Sequence, residues 1–188
     1  MDILSAIYER RAVRAFSADP VSDRDVLRLL DAAAQAPSAA NLQPWAFAVF
    51  HGRARLRAMS DRVKAHLLAS SEASFGMDPR IDVYADADAD LFHGAHTLVV
   101  IYARPGRFHP SEECHLAAQN LMLAAMALGL GTCPIGFARS WFDRPDVKAE
   151  FNIPPHYSSI VPIAVGHAAF PPPRPVRNGA EIAGWQWD

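Results

Sequence analysis

The stretch from Ala36 to Phe50, APSAANLQPWAFAVF, is where one kind of element gives way to another. Upstream, Val26, Leu29, Leu30 and Ala33 recur at helical spacing, and Ser22-Asp-Arg-Asp25 has the form of a capping box with Asp in the usual Glu or Gln place. That pattern predicts a helix from residue 22 to about Gln35, stopped by Pro37. Downstream, Trp45 to Phe50 is a short apolar run that reads as a strand. Between the two lie Pro37, Ser38, Ala39, Ala40, Asn41, Gln43 and Pro44. Ser and Asn commonly close turns on their own backbone. Here they are concentrated between two core elements, where a bound molecule could also use them.

Working outward, residues 2–10 read as a short helix with Ile3, Leu4 and Ile7 on one face, and 11–20 as a loop or short strand. Arg53 to about Ser70 is helical, with Leu56, Met59, Val63 and Leu67 in register. Thr97 to Tyr102 is a buried strand. Ser111 with Glu112 and Glu113 is read as the cap of a long helix through Leu128, apolar almost all round and ended by Gly129-Leu-Gly131. Pro145 opens a short helix after Asp143. Ile160 to Gly166 is a strand, and Pro162 within it argues for an edge or a bulge. Three prolines, 171–173, make a stiff arm, and the tail Gly184-Trp-Gln-Trp-Asp188 is too aromatic to be left in water. Helices outnumber strands, which gives an α+β or α/β chain with helices flanking a small sheet.

The chain has 188 residues, 51% of them hydrophobic and 20% charged, with a formal net charge of -2. This composition describes one globular domain with a substantial core and excludes a basic nucleic-acid surface. Arginines cluster locally at Arg10, Arg11 and Arg14 and at Arg174 and Arg177, a pattern suited to a small anion. Cys114 and Cys133 form no CxxC pair and are expected to be buried free thiols, as in a reducing cytoplasm. No signal peptide or membrane span is read. Eight histidines occur without HExxH or Cys/His spacing, so no metal site is expected. The acidic run Asp82 to Asp90 lacks the glycine and final Glu of a calcium loop and is read as solvated. Nucleophile-elbow, Walker and GxGxxG motifs are absent.

Three polar packets remain: Arg10-Arg-Ala-Val-Arg14, Pro37 to Gln43, and Thr132-Cys-Pro-Ile-Gly136. Taken together, RRAVRAF, APSAANLQPWAFAVF, AAQNLMLAAMALGLGTCPIG and VPIAVGH before a proline-arginine tail resemble the FMN-dependent nitroreductase family, in order and spacing, from residue 3 to about 177. The resemblance implies a nitroreductase-like α+β fold with a small mixed or antiparallel sheet. It implies a single FMN-binding domain over 1–188 and an intertwined homodimer in which the arm 171–188 packs on the partner. Each FMN would lie in a groove touched by both chains.

By the same resemblance, Arg10, Arg11 and Ala12 line the phosphate-ribityl side and ring edge, Arg14 reaches the pyrimidine end, and Arg174 and Arg177 hold the phosphate. Pro37, Ser38, Ala39 and Asn41 face the flavin bound mainly by the other subunit, with Trp45 and Phe47 in the core. Pro134, Ile135 and Gly136 lie over the ring, with a backbone N–H near N5. Ala12 replaces a Ser that many relatives carry. The implied activity is ping-pong transfer of hydride from NADH or NADPH to a nitroaromatic, quinone or related electron-poor small molecule, with no protein acid or base required. A flavin carrier or structural dimer is the rival class. A specialised flavin enzyme of the same fold, such as a reductive dehalogenase or a ring oxidase, is another. Residues 60–92 lie between the matched blocks and are read as the wall over the acceptor, with His66, Phe75, Tyr84 and Phe92 as its candidates.

Overall fold

The computed structural model describes residues 2–70, 81–106, 108 and 110–186. Phe75 of the expected acceptor wall, and Trp187 and Asp188 of the tail, lie outside the described residues. The elements run α1 (Ile3–Glu9), α2 (Asp23–Ala34), β1 (Trp45–His51), α3 (Arg53–Ala69), α4 (Ile81–Ala85), β2 (Thr97–Ala103), α5 (Pro110–Ala127), β3 (Gly131–Pro134), α6 (Arg139–Phe142), α7 (Pro145–Glu150) and β4 (Ser158–Gly166). Among the described residues, the strands form one antiparallel sheet in the order β1-β2-β4-β3.

Strand β2 is the clearest case of sequence dictating structure. It is buried at every position, so its alternating side chains must satisfy two cores. Leu98, Val100 and Tyr102 join Phe50, Leu56, Val63, Phe92 and Phe142 beneath α3. Val99, Ile101 and Ala103 join Leu29, Ala33, Trp45, Cys114 and Leu121 beneath α2 and α5. A helix layer on each face of an antiparallel sheet is the α+β arrangement expected. No helix among the described residues is long and apolar enough to cross a membrane.

The local chemistry follows the expected signals with one correction. Ser22 caps α2, its hydroxyl accepting from the Asp25 amide at 3.1 Å, and Gly129 takes φ +73° after α5. Ser111 is not a cap: Pro110 is already helical, which puts Ser111 in the first turn, where its carbonyl meets His115 Nδ1 at 2.7 Å. Of the edge or bulge that Pro162 argued for, the structure has the bulge, since β4 lies between β2 and β3. Pro162 is accommodated beside a bulge, where Ile101 pairs with Val161 and Tyr102 with Ser159, so that Ile160 is the extra residue.

Residues 10–17 are extended and clamped onto this sheet. Ala12 bridges Thr132 of β3, and Val13 N–H donates to the Thr132 carbonyl at 2.9 Å. Further along, Phe16 N–H donates to His93 O, Ser17 N–H to His167 O, and Ala169 N–H to Ala15 O. Val13 and Phe16 turn inward and are buried. They fit only because their neighbours lack side chains: a Cβ on Gly131 would lie 2.5 Å from Val13 Cγ2, and one on Gly166 2.8 Å from Phe16 Cδ1.

Gly131→Ala is therefore expected to destabilise the fold by about 1–3 kcal/mol, since β-branched Val13 cannot rotate away freely. Chemical denaturation checks this. The double variant with Val13→Ala should lose less than the sum of the two single changes, and strict additivity would contradict the contact.

Candidate functional site

The clamp decides where the basic residues go. With Val13 and Phe16 turned inward, Arg10, Arg11, Ala12 and Arg14 line a cleft of about 440 Å³, closed on its other side by Pro172, Arg174 and Arg177 of the proline arm. Arg11 is partly committed elsewhere: its Nη1 donates to the Tyr8 carbonyl at 2.6 Å and the Arg10 carbonyl at 2.8 Å, closing the end of α1. Arg10 has no carboxylate partner among the described residues. Burial lowers its pKa from the ordinary guanidinium value, and the charges of Arg177 and Arg11 lower it further. Arg10, Arg174 and Arg177, in a cleft that no acid lines among the described residues, form a site for an anion, and a guanidinium fork matches two oxygens of a phosphate.

Arg14 also borders a second cavity of about 840 Å³, walled by Pro134, Ile135 and Gly136 on one side and by Tyr84, Asp90 and His93 on the other. The expected third packet is here, though not as an exposed run: Thr132 and Cys133 are buried strand residues and Ile135 is a core residue. The Ile135 amide is committed to the Pro162 carbonyl at 2.8 Å. Gly136 opens the next short 3-10 turn and is exposed. Of the two residues, Gly136 is thus the one with an amide placed to meet a ligand. Cys133 borders the cavity, but burial raises its pKa, so it is no ready nucleophile.

Of the expected wall residues among those described, only Tyr84 reaches this cavity, with its ring 5.8 Å from that of Phe137. Phe92 is wholly core. His66 lies elsewhere, with Nε2 3.2 Å from Ser140 Oγ.

Residues 37–41 line neither cavity. They form a short 3-10 turn, Ala39–Asn41, with left-handed backbone at Ala40 (φ 49°), Asn41 (φ 54°) and Gln43 (φ 46°). Such conformations in residues other than glycine cost on the order of 1–3 kcal/mol each and persist only where surroundings enforce them. Enforcement is visible. Gln43 N–H donates to Ser38 Oγ at 2.9 Å and Gln43 Nε2 to Asn41 Oδ1 at 3.0 Å, while Arg104 donates to the Gln43 carbonyl. Buried Glu113 of α5 accepts from Ala39 N–H at 2.7 Å. Pro37, Ala39 and Asn41 are left exposed, on a turn held rigidly from beneath. Trp45 is buried and Phe47 packs on the same core, as expected.

Reading the sequence alone missed Glu113, Arg104, His93 and Asp90. The pattern Asp90-Leu-Phe-His-Gly94 carried a signal: an Asp whose carboxylate can close a turn on amides two and four residues later. Asp90 does so, at 2.9 Å to both Phe92 and Gly94. Among the described residues no group of three or more His, Cys, Asp or Glu is placed to hold a metal.

A family model described as Nitroreductase family matches residues 7–167. Nitroreductase NfnB of Mycolicibacterium smegmatis is 31% identical over 178 residues, covering 78% of this chain and 75% of that one. Among solved structures, a nitroreductase with bound FMN from Desulfitobacterium hafniense DCB-2 superposes with a TM-score of 0.80 at 25% identity, covering 99% of this chain and 100% of the other. The FMN-dependent nitroreductase NfnB from Mycobacterium smegmatis in complex with NADPH superposes with a TM-score of 0.69 at 25% identity, covering 88% and 87%.

Because Glu113 holds the turn at Ala39, Glu113→Ala should free that amide and cost about 1.5–3 kcal/mol, the range for hydrogen bonds to charged groups. Hydrogen exchange should show Ala39 losing protection, and unchanged protection would contradict the assignment.

Proposed function

The chain belongs to the nitroreductase family, and we propose that it is an FMN-dependent oxidoreductase that takes hydride from NADH or NADPH and reduces nitroaromatic, quinone or related electron-poor acceptors by a ping-pong mechanism. The observation that carries this reading is the cluster of Arg10, Arg174 and Arg177, in a cleft that no acid lines among the described residues and that meets a larger cavity at Arg14. A molecule with a phosphate at one end and a polar, electron-accepting ring at the other suits that sequence of groups. FMN is such a molecule, and the FMN-bound relatives support the choice.

In this reading Arg174 and Arg177 hold the phosphate together with Arg10, while Arg11 and Ala12 line the chain that joins phosphate to ring. Arg14 stands at the pyrimidine end, where its fixed positive charge stabilises the negative charge that reduction brings. Pro134 and Ile135 would form the wall against one ring face, and the exposed Gly136 would offer its amide to the reacting edge of the ring. When bound, FMN supplies the two-electron chemistry that no side chain here can supply.

The remaining site residues come from a second copy of the chain, making the protein a homodimer with the domain 1–188 as its unit. Two features support this. The turn bearing Pro37, Ser38, Ala39 and Asn41 is rigid, exposed and turned away from its own chain's clefts. The apolar face of α1 is uncovered too, with Ile3 70%, Leu4 60% and Tyr8 70% exposed. A partner covers this face, and the arm beyond Phe170, which carries exposed Val176 and Trp185, packs on that partner. A reducing cytoplasm is the compartment this reading implies, and the buried free thiols of Cys114 and Cys133 support it.

The test is the visible spectrum of the purified protein after FMN is added and the excess removed. A retained flavin spectrum that NADH or NADPH bleaches without oxygen is expected. Retention without bleaching would make the protein a flavin carrier, and no retention would refute the reading. Replacing both Arg174 and Arg177 by Ala should weaken FMN binding at least about tenfold, since each charged hydrogen bond contributes roughly 1.5–3 kcal/mol. Fluorescence titration checks this, and unchanged affinity would remove the arm from the phosphate site.

A further inference from the structure

The scheme above leaves one group in the larger cavity without a role. His93 is partly buried in the cavity wall facing Pro134 and Gly136, beside Arg14, and among the described residues its ring makes no hydrogen bond. Its position is built rather than incidental. The residue adopts φ 59°, in the left-handed region, and Gly94 follows at φ 73°. Its backbone is fixed at both ends, with N–H donating to Asp90 O at 2.9 Å and O accepting from Phe16 N–H at 3.2 Å. The loop beneath is gripped by α3: Lys64 Nζ donates to the carbonyls of Asp86, Ala87 and Ala89 at 2.8–3.1 Å, and Ser60 Oγ accepts from Leu91 N–H at 2.8 Å. A strained turn, anchored by the same clamp that sets Arg14, thus aims an imidazole at the wall where hydride is to be exchanged.

We propose that His93 is the proton carrier of this cavity, taking up a proton when hydride enters the site and delivering it to the acceptor when hydride leaves. The proposal rests on the FMN reading. The balance leaves one proton to be supplied, and His93 is the group in the cavity able to carry it from the solvent. A hydride from NAD(P)H carries two electrons and one proton, and reduction of a quinone to a hydroquinone needs one proton more. In the first half-reaction the C–H bond of the nicotinamide would break as its hydride passes to bound FMN, NAD(P)+ would leave, the cavity would gain one negative charge, and a proton from the solvent would bind the imidazole. In the second, the acceptor takes the hydride, and the imidazolium N–H breaks as an O–H bond forms on the acceptor. The sum is NAD(P)H, a proton and a quinone giving NAD(P)+ and hydroquinone.

The surrounding charges favour this cycle. Before hydride arrives, burial and then the positive charge of Arg14 hold the imidazole below its ordinary pKa of 6.5, with Asp90 opposing them. The other titratable groups near it are Tyr84 and Cys133 in the same cavity and the Arg53 guanidinium beside Gly94. A negative charge gained in the cavity offsets Arg14 and raises the imidazole's proton affinity.

The test follows the histidine resonances of the FMN-loaded protein by NMR across pH, before and after anaerobic reduction by NAD(P)H. His93 is assigned by its absence in His93→Asn, since Asn tolerates the left-handed backbone and does not titrate. The His93 midpoint should rise by about one pH unit or more on reduction, a tenfold gain in proton affinity. In His93→Asn, the quinone half-reaction should lose its dependence on a group titrating in that range, while FMN stays bound. The same His93 midpoint in both states, or an unaltered pH profile in His93→Asn, overturns the proposal. Failure to retain FMN overturns the reading beneath it, and a protein that retains FMN separates the two.

Discussion

Two close approaches, Val13 over Gly131 and Phe16 over Gly166, set the geometry on which everything else depends. Side chains that lie this near to a neighbouring backbone allow only one placement of residues 10–17. That placement turns Arg10 and Arg14 outward at a fixed spacing along β3, and it delivers the Phe16 amide to the His93 carbonyl. A single extended segment therefore connects the anion cleft, the larger cavity and the turn that walls it. The same segment pairs through Ala15 with Ala169, just before the proline arm, so the arm's arginines return to the cleft from a defined origin.

A similar economy governs the turn at 37–41. The left-handed residues Ala40 and Asn41, and Gln43 just after the turn, are unfavourable by themselves, and Ser38, Arg104 and Glu113 enforce them. A loop whose only task was to link α2 to β1 would not require such support. Held from beneath and exposed above, it presents Pro37, Ala39 and Asn41 as a rigid surface. This explains why directional hydrogen-bonding groups crowd a junction of two core elements: some fix the turn, and the others face outward.

Much of the fold was legible in the sequence because it rests on periodicity. The stripes Val26-Leu29-Ala33 and Leu56-Met59-Val63-Leu67 became the buried faces of α2 and α3, and the run 97–102 became the strand shared by two cores. Strand β3 was not legible, being four residues long and opened by a glycine. Pro162 suggested an edge or a bulge because its missing amide hydrogen is most easily lost there, and the sheet has the bulge. In the site, the arginine and Pro134–Gly136 packets were legible as motifs. Glu113 was not, because a buried carboxylate reaching an amide 74 residues away leaves no local pattern, and around His93 only the Asp90 turn left one, which fixes the backbone and not the role of the imidazole.

The central claim is that each site joins residues 10–14 of one chain to residues 37–41 of another. Mixing two defective variants, Arg14→Ala and Asn41→Ala, tests it directly. Shared sites predict that a hybrid dimer contains one doubly altered site and one intact site, so FMN binding of normal affinity should reappear at one equivalent per hybrid. If both packets of a site came from the same chain, every site in the mixture would carry a substitution. Mixing would then restore nothing, and that result would contradict the account.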